Sequence, residues 1–113
     1  MLKSSQFERI GKAERVEQLL EILNSRVIGQ FIREHADAEA PLMDWVAKTK
    51  AAVWKNNSDV QKTFNRVDHL GSQKFIFNIG GNNFRMVAMV WIENERVYVL
   101  KIMTHAEYDR EKF

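Results

Sequence analysis

The chain has 113 residues, 45% hydrophobic and 28% charged, with one Pro, five Gly and no Cys, which fits one ordered domain with a single core and excludes a disordered chain or a disulfide scaffold. Lys and Arg number 17 against 15 Asp and Glu, a net charge of +2, although the pI is about 9.0. Residues 71–113 alone hold six basic and five acidic side chains, so net charge does not point to nucleic acid and any anion site has to be local.

At the N-terminus, Lys3, Glu8, Arg9, Lys12, Glu14, Arg15 and Glu17 interrupt any apolar run, so a secretory signal is not expected. No 18-residue apolar run occurs anywhere, so no membrane helix is expected either. The lack of Cys fits a cytoplasmic setting. Val16, Leu19, Leu20 and Leu23 follow a helical i, i+3, i+4, i+7 stripe, and the pattern favours helix, although Leu19–Leu23 also reads as a short strand. Ser25 is a candidate N-cap for a helix running to about His35, with Val27, Ile28, Phe31 and Ile32 inward. Pro41 suits the first turn of a second helix, whose inner face is Leu42, Trp45, Val46, Thr49 and Val53. Lys48, Lys50 and Lys55 lie off that stripe. Ser58-Asp59-Val60-Gln61 reads as a capping box opening a third helix, with Val60, Phe64 and Val67 inward.

After Gly71 the pattern turns to β. Phe75–Ile79, Phe84–Trp91 and Val97–Met103 are rich in Val, Ile and aromatic residues. Gly80-Gly81-Asn82-Asn83 makes the first turn, because Gly and Asn tolerate positive φ. Glu93-Asn94-Glu95 makes the second. The middle strand is apolar on both faces, so helices are expected on one face and a packed or partner-bound surface on the other.

Closing the first hairpin at Ile79 and Phe84 places Asn78 opposite Arg85. Turning the second around Asn94 places Arg85 opposite Met103 or Thr104, which makes a row of Asn78, Arg85 and Thr104 across three strands. His105 and Tyr108 follow just past that row, in the polar run Thr104-His105-Ala106-Glu107-Tyr108-Asp109. Such a row supports phosphodiester cleavage. Arg holds a phosphate bidentately and stabilises its transition state. His exchanges a proton near neutral pH. Tyr orients, donates a proton or stacks on a base. Asp109 or Glu107 tunes the imidazole or acts as base.

Each of these residues also has a plainer reading. A strand Arg is more often salt-bridged at a surface, and a His near a chain end is usually solvated. Tyr108 reads equally as a half-buried core residue. His105, Glu107 and Asp109 at i, i+2, i+4 form a weak metal motif that lacks further ligands. Lys48, Lys50 and Lys55 are by default a solvated face, with phosphate tracking the minority reading.

Taken together, Asp37-Ala38-Glu39-Ala40-Pro41-Leu42 with Trp45, Trp54-Lys55, Asp59-Val60, Phe77 through Arg85, and Thr104 through Asp109 resemble the HigB toxins. These belong to the RelE-like superfamily of bacterial type II toxin–antitoxin systems. The resemblance covers roughly residues 19–112, and its two most specific parts are the Gly-Asn…Arg turn and the Thr-His-x-Glu-Tyr-Asp ending. It implies an α+β, RelE-like domain over residues 19–113, an N-terminal strand and helices packed on a small antiparallel sheet. It implies a metal-free mRNA endoribonuclease that needs no cofactor, inhibits translation, and uses the RNA's own 2′-OH as nucleophile, usually at the ribosome. The implied partners are mRNA and a HigA-like helix-turn-helix antitoxin, through which alone operator DNA would be bound. No membrane partner is implied.

On matched positions, Arg85 resembles the phosphate-binding arginine, and His105 and Tyr108 the acid–base and orienting groups. Asp109 joins them in the candidate catalytic set. Asn78, Lys74, Asn82, Thr104 and Lys55 are the candidate RNA-binding residues, Asn82 standing at the family's turn asparagine. Residues 1–18 depart from the pattern as an extension that reads as helical and is a candidate antitoxin contact. The muted basic charge also departs from it. The competing reading is a non-catalytic module that binds RNA or antitoxin.

Overall fold

A computed structural model describes residues 20–64 and 66–111. The extension over residues 1–18 therefore lies outside the described residues. The described chain is α+β, in the order β1 (Glu21–Leu23), α1 (Arg26–Glu34), a 3-10 turn (Ala36–Ala38), α2 (Glu39–Ala51), α3 (Asn57–Thr63), β2 (Val67–Gly71), β3 (Lys74–Ile79), β4 (Phe84–Trp91), β5 (Arg96–Thr104) and α4 (His105–Glu111). The five strands form one sheet in the order β1-β5-β4-β3-β2.

Two sequence expectations are corrected here. The helical stripe ending at Leu23 gives way to a strand, because Glu21, Ile22 and Leu23 pair in parallel with Arg96, Val97 and Tyr98. The sheet is therefore mixed rather than wholly antiparallel. Asn24 ends that strand at φ 61 and donates from its side chain to the Val99 carbonyl at 2.8 Å. The β region also begins earlier than Gly71, since Val67–Gly71 pairs antiparallel with β3. Asp68, His69 and Gly71 broke the hydrophobic pattern, and four of the five residues of β2 are exposed at the sheet's edge.

The helices cover one face of the sheet. Ile28 and Phe31 of α1, Leu42 and Trp45 of α2 and Val60 of α3 pack with Phe75, Phe77, Met86, Val90, Val97 and Val99 in one core. Ser25 precedes α1 but makes no side-chain cap bond. Pro41 sits in the first turn of α2, as expected, while Val53 lies beyond that helix and is exposed. The cap of α3 is Asn56, not Ser58; its Oδ1 accepts from the Asp59 N–H at 3.1 Å. Asn and Ser are near-equal N-caps, so the sequence left the choice open by two residues.

On the opposite face Ile76, Val87 and Met103 form a small second cluster, with Tyr108 of α4 packed against it. Burying each such apolar side chain contributes about 2 kcal/mol. That explains why β4 is apolar on both faces. The helices account for one side, and on the other the C-terminal helix covers the part around Val87.

Candidate active site

The site lies at the end of the sheet where the β3–β4 turn meets the start of α4. The turn needs Gly80 and Gly81 at φ 62 and 68, a region unfavourable to side chains. A Cβ on Gly80 would stand 3.3 Å from Pro41 Cγ, so the turn sits directly against the first turn of α2. The Asn83 carbonyl accepts from the His105 backbone N–H at 2.9 Å. This bond ties the start of α4 to the turn.

Hairpin register brings the expected residues together with one correction. Asn78 pairs with Arg85, and Arg85 pairs with Met103. Thr104 pairs with Phe84 and belongs to the other pleat, so the row is Asn78, Arg85 and Met103. A one-residue ambiguity in the second turn was enough to change the face. Thr104 instead caps α4. Its hydroxyl accepts from the Glu107 N–H at 3.2 Å, while its own N–H donates to Glu107 Oε1 at 2.9 Å. That reciprocal box starts the helix that carries His105, Tyr108 and Asp109. The Thr104 backbone bond holds the Glu107 carboxyl below its usual pKa, with smaller help from the Thr104 hydroxyl and from the charges of His35 and Arg110.

Arg85 is 7% exposed. Its Nη1 donates to the carbonyls of Asn82 and Phe84, both at 3.2 Å. Its Nη2 donates to Asn82 Oδ1 at 2.7 Å and contacts His105 Nδ1 at 3.1 Å. The guanidinium carbon lies 5.2 Å from the centre of the Tyr108 ring, within cation–π range. Guanidinium only donates, so the Nδ1 contact requires a lone pair on that nitrogen. The ring then carries its proton on Nε2, which lies 3.3 Å from Asp109 Oδ2. His105 is thus held between a cation and a carboxylate.

A cleft of about 280 Å3 opens beside this group, lined by Arg66, Val67, Asp68, Asn78, Arg85 and Tyr108. Arg66 was not anticipated, because β2, which follows it directly, was not read as a strand. Its backbone carbonyl accepts from Asn78 N–H at 3.1 Å, which was the missing register signal. Among the candidate RNA-binding residues, Asn78 lines the cleft and Asn82 orients Arg85. Lys74 shares the face of Asn78 but pairs with Met89 at the far end of β3, about 13 Å along the strand. Lys55 lines a different cleft beside Lys48 and Lys62. Glu107 is turned to Thr104 while His105 and Asp109 face each other, and no metal-binding group of three His, Asp or Glu forms among the described residues.

The sequence model of a family described as the HigB toxin, RelE-like toxic component of a toxin–antitoxin system, matches residues 38–111. That match spans α2 through α4, well over half of the chain. The chain belongs to the HigB toxin family. Its relatives include the mRNA interferase toxin HigB of Escherichia coli strain K12, 51% identical over 35 residues, which are 31% of this chain and 34% of that protein. The mRNA interferase HigB of Shigella flexneri matches to the same extent. That of Escherichia coli O6:H1 is 42% identical over 36 residues, 32% of this chain and 35% of its own length. The alignment therefore spans about a third of these HigB proteins. In this HigB-family chain, Arg85, His105, Tyr108 and Asp109 all lie inside the segment that defines the family. Among the described residues no helix is long and apolar enough to cross a membrane.

Proposed function

We propose that this chain is an mRNA endoribonuclease, the toxic half of a toxin–antitoxin pair, with a RelE-like fold. The observation that carries the reading is the contact of a buried Arg85 with His105 Nδ1 beside an open cleft. All four Nη hydrogens of Arg85 are engaged. A phosphate bound at the Nη side of the guanidinium displaces one of those acceptors. A charged oxygen outcompetes a neutral imidazole nitrogen for a guanidinium N–H. Binding of the scissile phosphate then frees the Nδ1 lone pair of His105 to take the proton of the adjacent 2′-OH.

The 2′-oxygen attacks phosphorus, the bond to the 5′-oxygen breaks, and that oxygen leaves with a proton. The products are a 2′,3′-cyclic phosphate and a 5′-hydroxyl. Arg85 stabilises the added negative charge on the phosphorane. Asp109 stabilises the imidazolium through Nε2. Tyr108 orients the guanidinium and lines the substrate cleft. The leaving-group proton comes from Tyr108 or from the imidazolium formed in the first step. No metal ion and no cofactor enters this scheme. Cleavage of translated message would block protein synthesis in the cytoplasm, and a HigA-like helix-turn-helix antitoxin would neutralise the toxin and carry it to operator DNA.

The test is cleavage of mRNA by the purified protein in EDTA, alone and with ribosomes. The expected result is 5′-hydroxyl and cyclic-phosphate ends without added metal. Growth arrest with intact message would overturn the enzymatic reading and favour a binding module.

A further inference from the structure

Cleavage at Arg85 leaves open where the RNA strand runs on either side of the broken bond. Three clefts adjoin at this end of the molecule. The cleft at Arg85 and Tyr108 shares Arg66 and Asn78 with a second, of about 570 Å3, between α2 and the β3–β4 turn. That one shares Lys48 and Thr63 with a third, of about 520 Å3, between the end of α2 and α3. The shared residues set the three clefts side by side as a trough running from Arg85 past Arg66 and Lys48 to Lys62 and Lys55.

The charge of this trough differs from that of the other hollows. Its cations are those five side chains, and its acids are Asp68, Asp44 and Asp59. On the far side of α4, Lys101 and Arg110 are balanced by Glu107 and Glu111. The hollow at the opposite end of the sheet holds Glu93 and no cation. Of these hollows, the trough is the one that offers an extended polyanion leaving the site a positive surplus.

The lysines are also available. Lys48 pairs with Asp44 at 3.0 Å and Lys62 with Asp59 at 4.0 Å, and their side chains are 53% and 78% exposed. Exposed pairs of this kind are weak and readily yield to a phosphate. A positively charged groove that follows the backbone is how sequence-tolerant single-strand binders work. Pro41 and Gly80, packed against each other, both line the second cleft and give a base an apolar wall there.

We propose that this trough, from Arg66 through Lys48 to Lys62 and Lys55, holds single-stranded RNA on one flank of the scissile phosphate. The proposal rests on the ribonuclease reading and adds the direction and the residues of substrate binding.

The experiment measures binding of a short single-stranded RNA carrying 2′-O-methyl groups throughout, which lacks the attacking hydroxyl, over a series of salt concentrations. Three proteins are compared: wild type, Lys48→Ala with Lys62→Ala and Arg66→Ala, and an off-trough control of equal charge change, Arg33→Ala with Arg96→Ala and Lys101→Ala. Each phosphate contact on a single strand adds about 0.7 to the slope of log affinity against log salt. The trough variant should lose about 2 in that slope and at least about tenfold in affinity at low salt, with the control close to wild type. Lys62→Ala alone, at an exposed position, should lose about 0.7 of slope, so the outcome does not hang on the folding of the triple variant. Equal losses in trough and control, or none in the trough, overturn the trough while wild-type cleavage of unmodified RNA leaves the enzyme reading standing. No binding and no cleavage by wild type overturns both.

Discussion

Arg85 and His105 lie twenty residues apart in sequence and meet side chain to side chain, with 3.1 Å between Nη2 and Nδ1. The contact is possible because β4 begins and β5 ends at the same end of the sheet, and because α4 starts immediately after β5. Removing Arg85 takes away the phosphate's charge partner and also releases the imidazole. We expect Arg85→Ala to lower the rate of RNA cleavage by roughly 100- to 1,000-fold. Arg85→Lys keeps the charge but loses the planar fork that reaches Asn82 and His105 at once, so it should recover only a small part of the activity. Single-turnover cleavage of one RNA by the three proteins checks this. Near-wild-type turnover in Arg85→Ala would remove the site proposed here.

The pair of His105 with Asp109 spans one helical turn and is largely exposed, at 44% and 62% of the side-chain surface. Solvent screens such a pair, so its contribution is about 1 kcal/mol or less, equivalent to about fivefold in rate. Asp109→Asn keeps an oxygen that can accept from Nε2 but cannot stabilise the imidazolium by charge. We expect a drop of about fivefold at low salt that shrinks as salt rises, because the lost term is electrostatic. Rates of wild type and Asp109→Asn at low and high ionic strength check it. A salt-independent loss of several hundredfold would instead make Asp109 a direct participant.

Much of this site was legible in the chain, and the reason is local. The Gly-Gly-Asn-Asn turn admits few registers, so Asn78 and Arg85 could be paired from the turn alone, and they do pair. The second turn is less constrained, and β5 bulges opposite Val87 and Ala88. That left Thr104 one residue from its true place, on the other pleat. The strand β1 was ambiguous because three residues carry no period, and its stability comes from pairing with β5, some seventy residues away. The edge strand β2 hid for a different reason. With Asp68 and His69 outward and a Gly at its end, it buries too little to show a pattern, and Arg66 went unnoticed with it. The polar run from Thr104 was read for its acid–base groups and not as a helix, although its Thr-x-x-Glu spacing is a capping box.

That box has a pH consequence. The Glu107 carboxylate accepts from the Thr104 backbone N–H, and this bond holds its pKa down in the folded chain. A group whose folded pKa is depressed stabilises the fold at pH values above its unfolded value. That stabilisation is lost as pH falls below the ordinary glutamate range and through the lower folded value. Glu107→Gln retains an amide oxygen for the same N–H but does not titrate. We expect wild type to be more stable than Glu107→Gln at neutral pH, and the gap to close as the solution is acidified through and below the ordinary glutamate range. Denaturant midpoints of both proteins across pH check it. A gap that widens on acidification would contradict the sign of the linkage.

Of the described glycines, Gly80 is the one whose added Cβ would meet neighbours, and it joins fold to function. Its φ of 62 is one that a side chain resists, and a Cβ would meet Pro41 Cγ at 3.3 Å and Phe84 Cδ2 at 3.7 Å. Pro41 is held in the first turn of α2 with Leu42 buried beside it, so it has little room to withdraw. Gly80→Ala therefore adds backbone strain and a tight contact together, a loss of about 1 to 2 kcal/mol. Gly81, at φ 68, has no neighbour within 4 Å, so Gly81→Ala carries the strain without the contact and should cost less. The two also differ in what they disturb. Displacing Gly80 from Pro41 shifts Asn82 and Asn83, whose carbonyls anchor Arg85 and the His105 N–H. Chemical denaturation and RNA cleavage on both variants should rank Gly80→Ala below Gly81→Ala in stability, and further below it in activity than the stability loss alone accounts for. The reverse order would show that the turn is seated by its own dihedral angles rather than by its contact with α2.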